Sequence, residues 1–181
     1  MTASTLPLAG TFVADPIHSR FAFSVKHMKV ATFSASFDDV DARVTADDQG
    51  VRLEGSVRVD SLSIKNPDFR GHVLQGADFF DADRYPELRF RSTDVVLADD
   101  GTARVAGELT IKGITRPFTA TGTYEPVVED FAGGLRTAVE FATTVDRRDW
   151  GFIWQAPLPK GGDALGYDIT ISAHVELVKE S

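Results

Sequence analysis

The stretch "SRFAFSVKH", residues 19–27, puts Phe21, Phe23, Val25 and His27 on one side of an extended chain and Arg20, Ser24 and Lys26 on the other. Side chains of a strand point alternately to opposite faces, so an apolar/polar period of two marks a strand with one dry face. Working outward, "VRLEGSVRV" sets Val51, Leu53, Val57 and Val59 against Arg52, Glu54 and Arg58. "ARVAGELTI" sets Val105, Leu109 and Ile111 against Arg104 and Glu108, and "YDITISAHVEL" aligns Tyr167, Ile169, Ile171, Val175 and Leu177. With "SASFDDVDARV", "LRFRSTDVVL", "PFTATGTY" and "LRTAVEFATTV", about eight strands are expected. "ADDQG" (46–50) and "ADDG" (98–101) carry the Asp and Gly that hairpin turns require. Short antiparallel strands in this number close on themselves or pack face to face, because an open sheet leaves unpaired edges. The expected class is therefore all-β, an antiparallel eight-stranded barrel. Its interior is either filled by side chains or just wide enough for one small ligand.

One segment breaks the period. In "PDFRGHVLQGADFF", residues 67–80, Asn66 is placed to cap a helix, Pro67 suits the first helical position, and Asp68 lies where the helix dipole favours a carboxylate. A short helix from Pro67 to about Gly76 is expected near one end of the barrel. Phe69, Val73 and Ala77 form its apolar stripe, with His72 beside it.

The 181 residues read as one domain, 1–181, long enough to bury a core although the chain has no cysteine for crosslinks. A net charge of −8 opposes nucleic acid and anionic membrane surfaces. No run approaches the ~20 apolar residues of a membrane span. The N-terminal "MTASTLPLAGTFVAD" lacks a basic, then apolar, export signal, which predicts a cytoplasmic location. Thirteen phenylalanines either fill a core or line a cavity.

Chemical motifs are sparse. His18, His27, His72 and His174 lack the paired spacing of a zinc site, so no metal or other cofactor is expected. "DADRYPE" (81–87) lacks the Gly and ligand series of a calcium loop and reads as a turn stopped by Pro86; "PKGGDALG" (159–166) lacks the Lys-Ser/Thr ending of a phosphate loop. No serine sits in a Gly-x-Ser-x-Gly elbow. In "DRRDWGFIW", Arg147, Arg148 and Asp149 either orient an anionic group or form solvated ion pairs, and Trp150, Phe152 and Trp154 offer an apolar wall.

Four segments, "DPIHSRFAFSVKHMKV", "FRGHVLQGADFFDADRYPELRFRS", "GELTIKGITRPF" and "VDRRDWGFIW", together resemble the YceI-like, polyisoprenoid-binding family in order and spacing. Where that family commonly reads Arg-Asp-x-His-Leu, this chain has Arg70, Gly71, His72, Val73 and Leu74; Arg70 carries over, and Gly71 replaces the carboxylate. The resemblance implies a lipocalin-like barrel around a long isoprenoid or fatty chain, with a helix near its opening and a possible homodimer.

Three functions follow. The first is binding of an isoprenoid, quinone-like or acyl-chain lipid inside the barrel, for sequestration or transport. Alternation nominates Phe23, Val25, Phe37, Phe90, Leu109, Ile111, Phe118 and Phe141 as lining; His27, Arg70 and His72 are candidates near the opening, and Phe79 and Trp154 are further ligand-binding candidates. The second is an enzyme acting on an enclosed isoprenoid-like substrate, with His72 as acid or base and Arg70 or Arg147 stabilising charge. The third is an interaction protein whose barrel is solidly packed.

Overall fold

The computed structural model describes residues 8–180. Its strands are β1 (Gly10–Ala14), β2 (Arg20–His27), β3 (Ala31–Phe37), β4 (Val40–Asp47), β5 (Gly50–Arg58), β6 (Leu62–Ser63), β7 (Glu87–Leu97), β8 (Thr102–Ile111), β9 (Ile114–Tyr124), β10 (Val128–Glu129), β11 (Leu135–Asp146) and β12 (Leu165–Lys179). One helix, α1 (Pro67–Gln75), lies between β6 and β7.

All pairings are antiparallel, and β12 joins the two ends of the sheet by pairing with β11 on one side and with both β1 and β2 on the other. β1 with β2, β3 with β4, and β5 with β6 are interrupted halves of single staves: β4 pairs with β1 and β5, while β3 pairs with β2 and β6. The result is a closed eight-stranded barrel running up and down in chain order. Closure removes the exposed edges that an open sheet would leave.

The expected turns form. Asp47 pairs with Gly50 across a two-residue connection, and Gly50 takes the left-handed φ of +111° that disfavours other residues. At Gly122 the reason for glycine is space: a Cβ there would lie 1.7 Å from the Glu140 carbonyl oxygen of the neighbouring strand.

The helix starts where expected. The Asn66 side chain accepts a hydrogen bond from the Phe69 N–H at 2.9 Å, and at the other end the Gly76 N–H donates to the His72 carbonyl at 2.9 Å. Val73 and Leu74 are its buried residues, and Phe33 meets Phe69 edge to face at 5.7 Å. The helix thereby covers the barrel end formed by the C-terminus of β2 and the N-terminus of β3.

Two apolar clusters line the barrel interior in series. The helix-end cluster centres on Phe37, Leu62, Leu88 and Trp150; the far cluster centres on Phe12, Val44, Val105 and Leu177. In the far half, Phe12 and Leu177 are essentially inaccessible.

Outside the core, Arg136 ties the closing strands together. It donates to Asp15 at 2.8 Å, Glu176 at 2.7 Å and Asp130 at 2.7 Å. The Arg136 hydrogen bond is the main reason that the Asp15 carboxyl is held down at about 2, from an ordinary 3.8. The unfolded carboxylate takes up its proton before the folded one, so this stabilisation is complete above pH 3.8 and is lost as pH falls towards 2. Urea midpoints measured through that window should fall less steeply in Arg136→Met than in wild type; parallel curves would contradict the coupling.

Candidate functional site

The helix-end half of the barrel holds a cavity of about 470 Å³. β2 contributes Phe21, Phe23, Val25 and His27, the face read from the opening stretch, because four alternate residues of one strand share one side. β3 adds Phe33 and Phe37 from the paired strand, where Phe21 opposes Phe37 and Val25 opposes Phe33. The segment around the helix adds Phe69, Val73, Phe79 and Phe80, while β12 adds Ile169 and Ile171.

The rings form a connected wall. Phe37 meets Phe80 edge to face at 5.3 Å, Phe80 meets Phe152 at 5.1 Å, and Phe23 lies 5.9 Å from Phe37. These offset and edge-on arrangements are the favourable ones for aromatic pairs. His27, Ala31, Thr32, Phe69 and Asp78 both line the cavity and are exposed, so the cavity reaches the surface at this end. Lining residues with polar side chains are His27, Thr32, Asp78 and Arg147.

Arg147 is the unusual member. Its side chain is buried, with 5% exposure, yet its guanidinium pairs with no carboxylate among the described residues. It donates instead to the carbonyls of Gly166 at 2.8 Å, Trp154 at 2.9 Å, Leu165 at 3.4 Å and Phe152. Burial pushes its pKa down from the ordinary arginine value. It also lies over the Tyr167 ring, 4.9 Å from the centroid. These bonds fasten the segment between β11 and β12 to the barrel and so hold Phe152 and Leu165 against the cavity. Trp150, 2% exposed, does the same on the other side by donating from Nε1 to the Leu109 carbonyl at 3.1 Å.

Of the residues nominated from the sequence, Phe23, Val25, His27, Phe37, Phe79 and Ile111 line this cavity. Phe90, Leu109, Phe118 and Phe141 face inward but surround a second, smaller void of about 100 Å³ in the far half. Arg70, His72 and Trp154 are not brought to the cavity wall. Arg70 is used to moor the helix: Nε donates to the Leu62 carbonyl at 2.7 Å, and Nη2 donates to the Asp60 carbonyl. His72 lies on the exposed side of α1 with its ring 5.1 Å from Phe79, and Trp154 stands behind Phe79 at 5.8 Å. Neither Arg70 nor His72 lines the cavity.

Sequence reasoning passed over Phe21, Phe80, Ile169 and Ile171 as lining. Parity alone would have found three of them, since Phe21 shares the face of Phe23, and Ile169 and Ile171 alternate on β12. Phe80 lies outside any regular element and carried no periodic signal. A candidate metal cluster, Asp15, His18 and Glu176, lies away from the cavity, and its two carboxylates are already engaged by Arg136.

Comparison with known proteins agrees with this architecture. The model of the YceI-like domain matches residues 12–177. The UPF0312 protein SAB2563 of Staphylococcus aureus (strain bovine RF122 / ET3-1) is 30% identical over 169 residues, covering 91% of this chain and 95% of the relative. The crystal structure of Burkholderia cenocepacia BcnA superposes with a TM-score of 0.71 at 21% identity, covering 90% of this chain and 98% of that one. A polyisoprenoid binding domain from Saccharophagus degradans, implicated in plant cell wall breakdown, has a TM-score of 0.71 at 9% identity, covering 96% and 100%. With a closed barrel, its helix-covered cavity and a family match spanning nearly all described residues, the chain belongs to the YceI-like family.

Proposed function

We propose that this protein binds the apolar chain of an isoprenoid, quinone-like or acyl lipid in the helix-end cavity, for sequestration or transport, with the lipid's polar head at the His27 and Asp78 opening. The observation that carries this reading is the cavity of about 470 Å³ walled by phenylalanines inside a closed barrel. Close-packed interiors leave few voids larger than a water molecule, so a core of this composition does not leave such space as ordinary packing. The polyisoprenoid-binding description of the Saccharophagus degradans neighbour supports the same ligand class.

The cavity's size sets the expected affinity. At the ~30 Å³ that a water-sized group occupies in a liquid, it has room for roughly sixteen methylene-sized groups. Ten buried methylenes supply about 8 kcal/mol at ~0.8 kcal/mol each, before ordering costs are subtracted. A full complement of roughly sixteen supplies about 13 kcal/mol, so that after an ordering cost of about 5 kcal/mol micromolar binding is reached by apolar burial alone.

Organic extraction of the purified protein followed by mass spectrometry should return a lipid in near-stoichiometric amount. Delipidated protein should take up farnesol or palmitate in a saturable titration. Empty extracts together with no uptake of either probe would overturn the reading in favour of a barrel with another role.

A further inference from the structure

The two voids in the barrel share three lining residues, Phe21, Leu88 and Ile171, and these separate one chamber from the other. They come from β2, β7 and β12, so the partition reaches across the barrel instead of belonging to one strand. Leu88 and Ile171 are buried, at 3% and 5% exposure, and Phe21 is braced by Phe37, with ring centroids 6.2 Å apart. Beyond this partition the space of about 100 Å³ is bounded by Leu53, Val105, Val139 and Phe141. Phe12 and Leu177 close the far cluster behind it.

We propose that Phe21, Leu88 and Ile171 form a length gauge: a lipid tail enters from the helix end and stops against them, so they set the longest chain that is bound with its tail fully enclosed. The proposal rests on the lipid-binding reading above. A tail that reaches the partition either stops or must push Phe21 aside, whereas a shorter one leaves the floor of the first chamber unfilled. Each additional methylene therefore adds affinity up to the partition and none beyond it. The far chamber has room for about three methylene-sized groups, and loss of the Phe21 ring adds more, so joining the chambers should admit about one further isoprene unit.

Displacement of a bound fluorescent fatty acid by polyprenols of ten, fifteen, twenty and twenty-five carbons tests this on the full-length delipidated protein. In wild type, affinity should rise with length and then level off. In Phe21→Ala the levelling point should move about one isoprene unit longer, with at least a tenfold gain for the first alcohol past the wild-type limit. Ile171→Ala, on a different stave, should shift it in the same direction, and it serves if Phe21→Ala fails to fold. Adding Val105→Phe to Phe21→Ala refills the far chamber and should reverse the gain. Binding with a levelling point unmoved in both alanine variants overturns the gauge alone. Absence of binding at every length in wild type overturns the gauge together with the reading it rests on.

Discussion

Arg147→Met is expected to destabilise the ligand-free protein by about 3 kcal/mol or more, among the largest losses from any single side chain outside the apolar core. The guanidinium is buried, and four backbone carbonyls, those of Phe152, Trp154, Leu165 and Gly166, accept from it. A hydrogen bond to a charged group contributes roughly 1.5–3 kcal/mol net, and each buried carbonyl left without a donor adds about 1–3 kcal/mol of cost. Local loosening will rehydrate some of these groups, which is why the expected loss is well below the sum. Arg147→Lys should not restore stability, because an ammonium cannot reproduce a planar fork that reaches carbonyls on both sides of the connection. The neighbouring Arg148→Met should leave the unfolding midpoint almost unchanged, since Arg148 is half exposed and its ion pair is with Asp146. Urea denaturation of the three delipidated variants against wild type measures the contrast. Equal midpoints for Arg147→Met and wild type would show that this arginine does not hold the segment. Because Phe152 lines the cavity from that segment and Leu165 lines it from the start of β12, lipid affinity should fall alongside stability.

The barrel was legible because its staves alternate so regularly. The β2 and β12 faces read from the sequence are the faces that the structure turns inward, and the Asn66–Pro67 start of the helix is where the cap forms. Alternation gives no guide where parity changes within a stave. Phe33 and Phe37 face inward at odd positions of β3, whereas Val40, Ala42 and Val44 face inward at even positions of β4. The break at Asp38–Asp39 makes that switch. In β7 the same occurs at the bulge between Ser92 and Asp94: Leu88 and Phe90 point in before it, and Val95 and Leu97 pack inward after it. An irregularity that inserts one residue flips every later side chain, and one sequence carries no strong signal for it.

The site was less legible than the fold for a different reason. Period two says that a side chain is inside the barrel, but not at what height. Phe90, Leu109, Phe118 and Phe141 satisfy the inward pattern and still surround the far void, because height depends on strand stagger around the ring. Arg70 and His72 looked suited to the opening because they flank the helix's apolar stripe. The direction of each side chain was decided by carbonyls and rings on other elements, those of Asp60, Leu62 and Phe79, which no local pattern encodes. Arg147 could equally have been a solvated charge by its neighbours in sequence. Its burial follows from the return of the chain through Gly166, nineteen residues later.

Val25→Trp is expected to weaken binding of a long-chain lipid about a hundredfold while leaving the ligand-free protein within about 1 kcal/mol of wild-type stability. Val25 is 5% exposed, pairs with Phe33 and Ile169 on the adjoining strands, and points into the helix-end cavity. An indole in place of the isopropyl group would occupy space that a lipid tail otherwise fills. Exclusion of three or four methylene-sized groups removes about 3 kcal/mol at ~0.8 kcal/mol each, which is the hundredfold loss. Stability separates this from the alternative of a filled interior. A close-packed core cannot take the added ring without shifting its neighbours, which typically costs ~1–3 kcal/mol, whereas a chamber of about 470 Å³ can accept it. Both measurements belong on delipidated samples, because bound lipid raises apparent stability by mass action and would hide the comparison. Weak binding with wild-type stability is the signature of an open chamber at Val25. Strong destabilisation of the lipid-free variant would show that the space around this residue is already committed to packing, and unchanged binding would place the lipid away from β2.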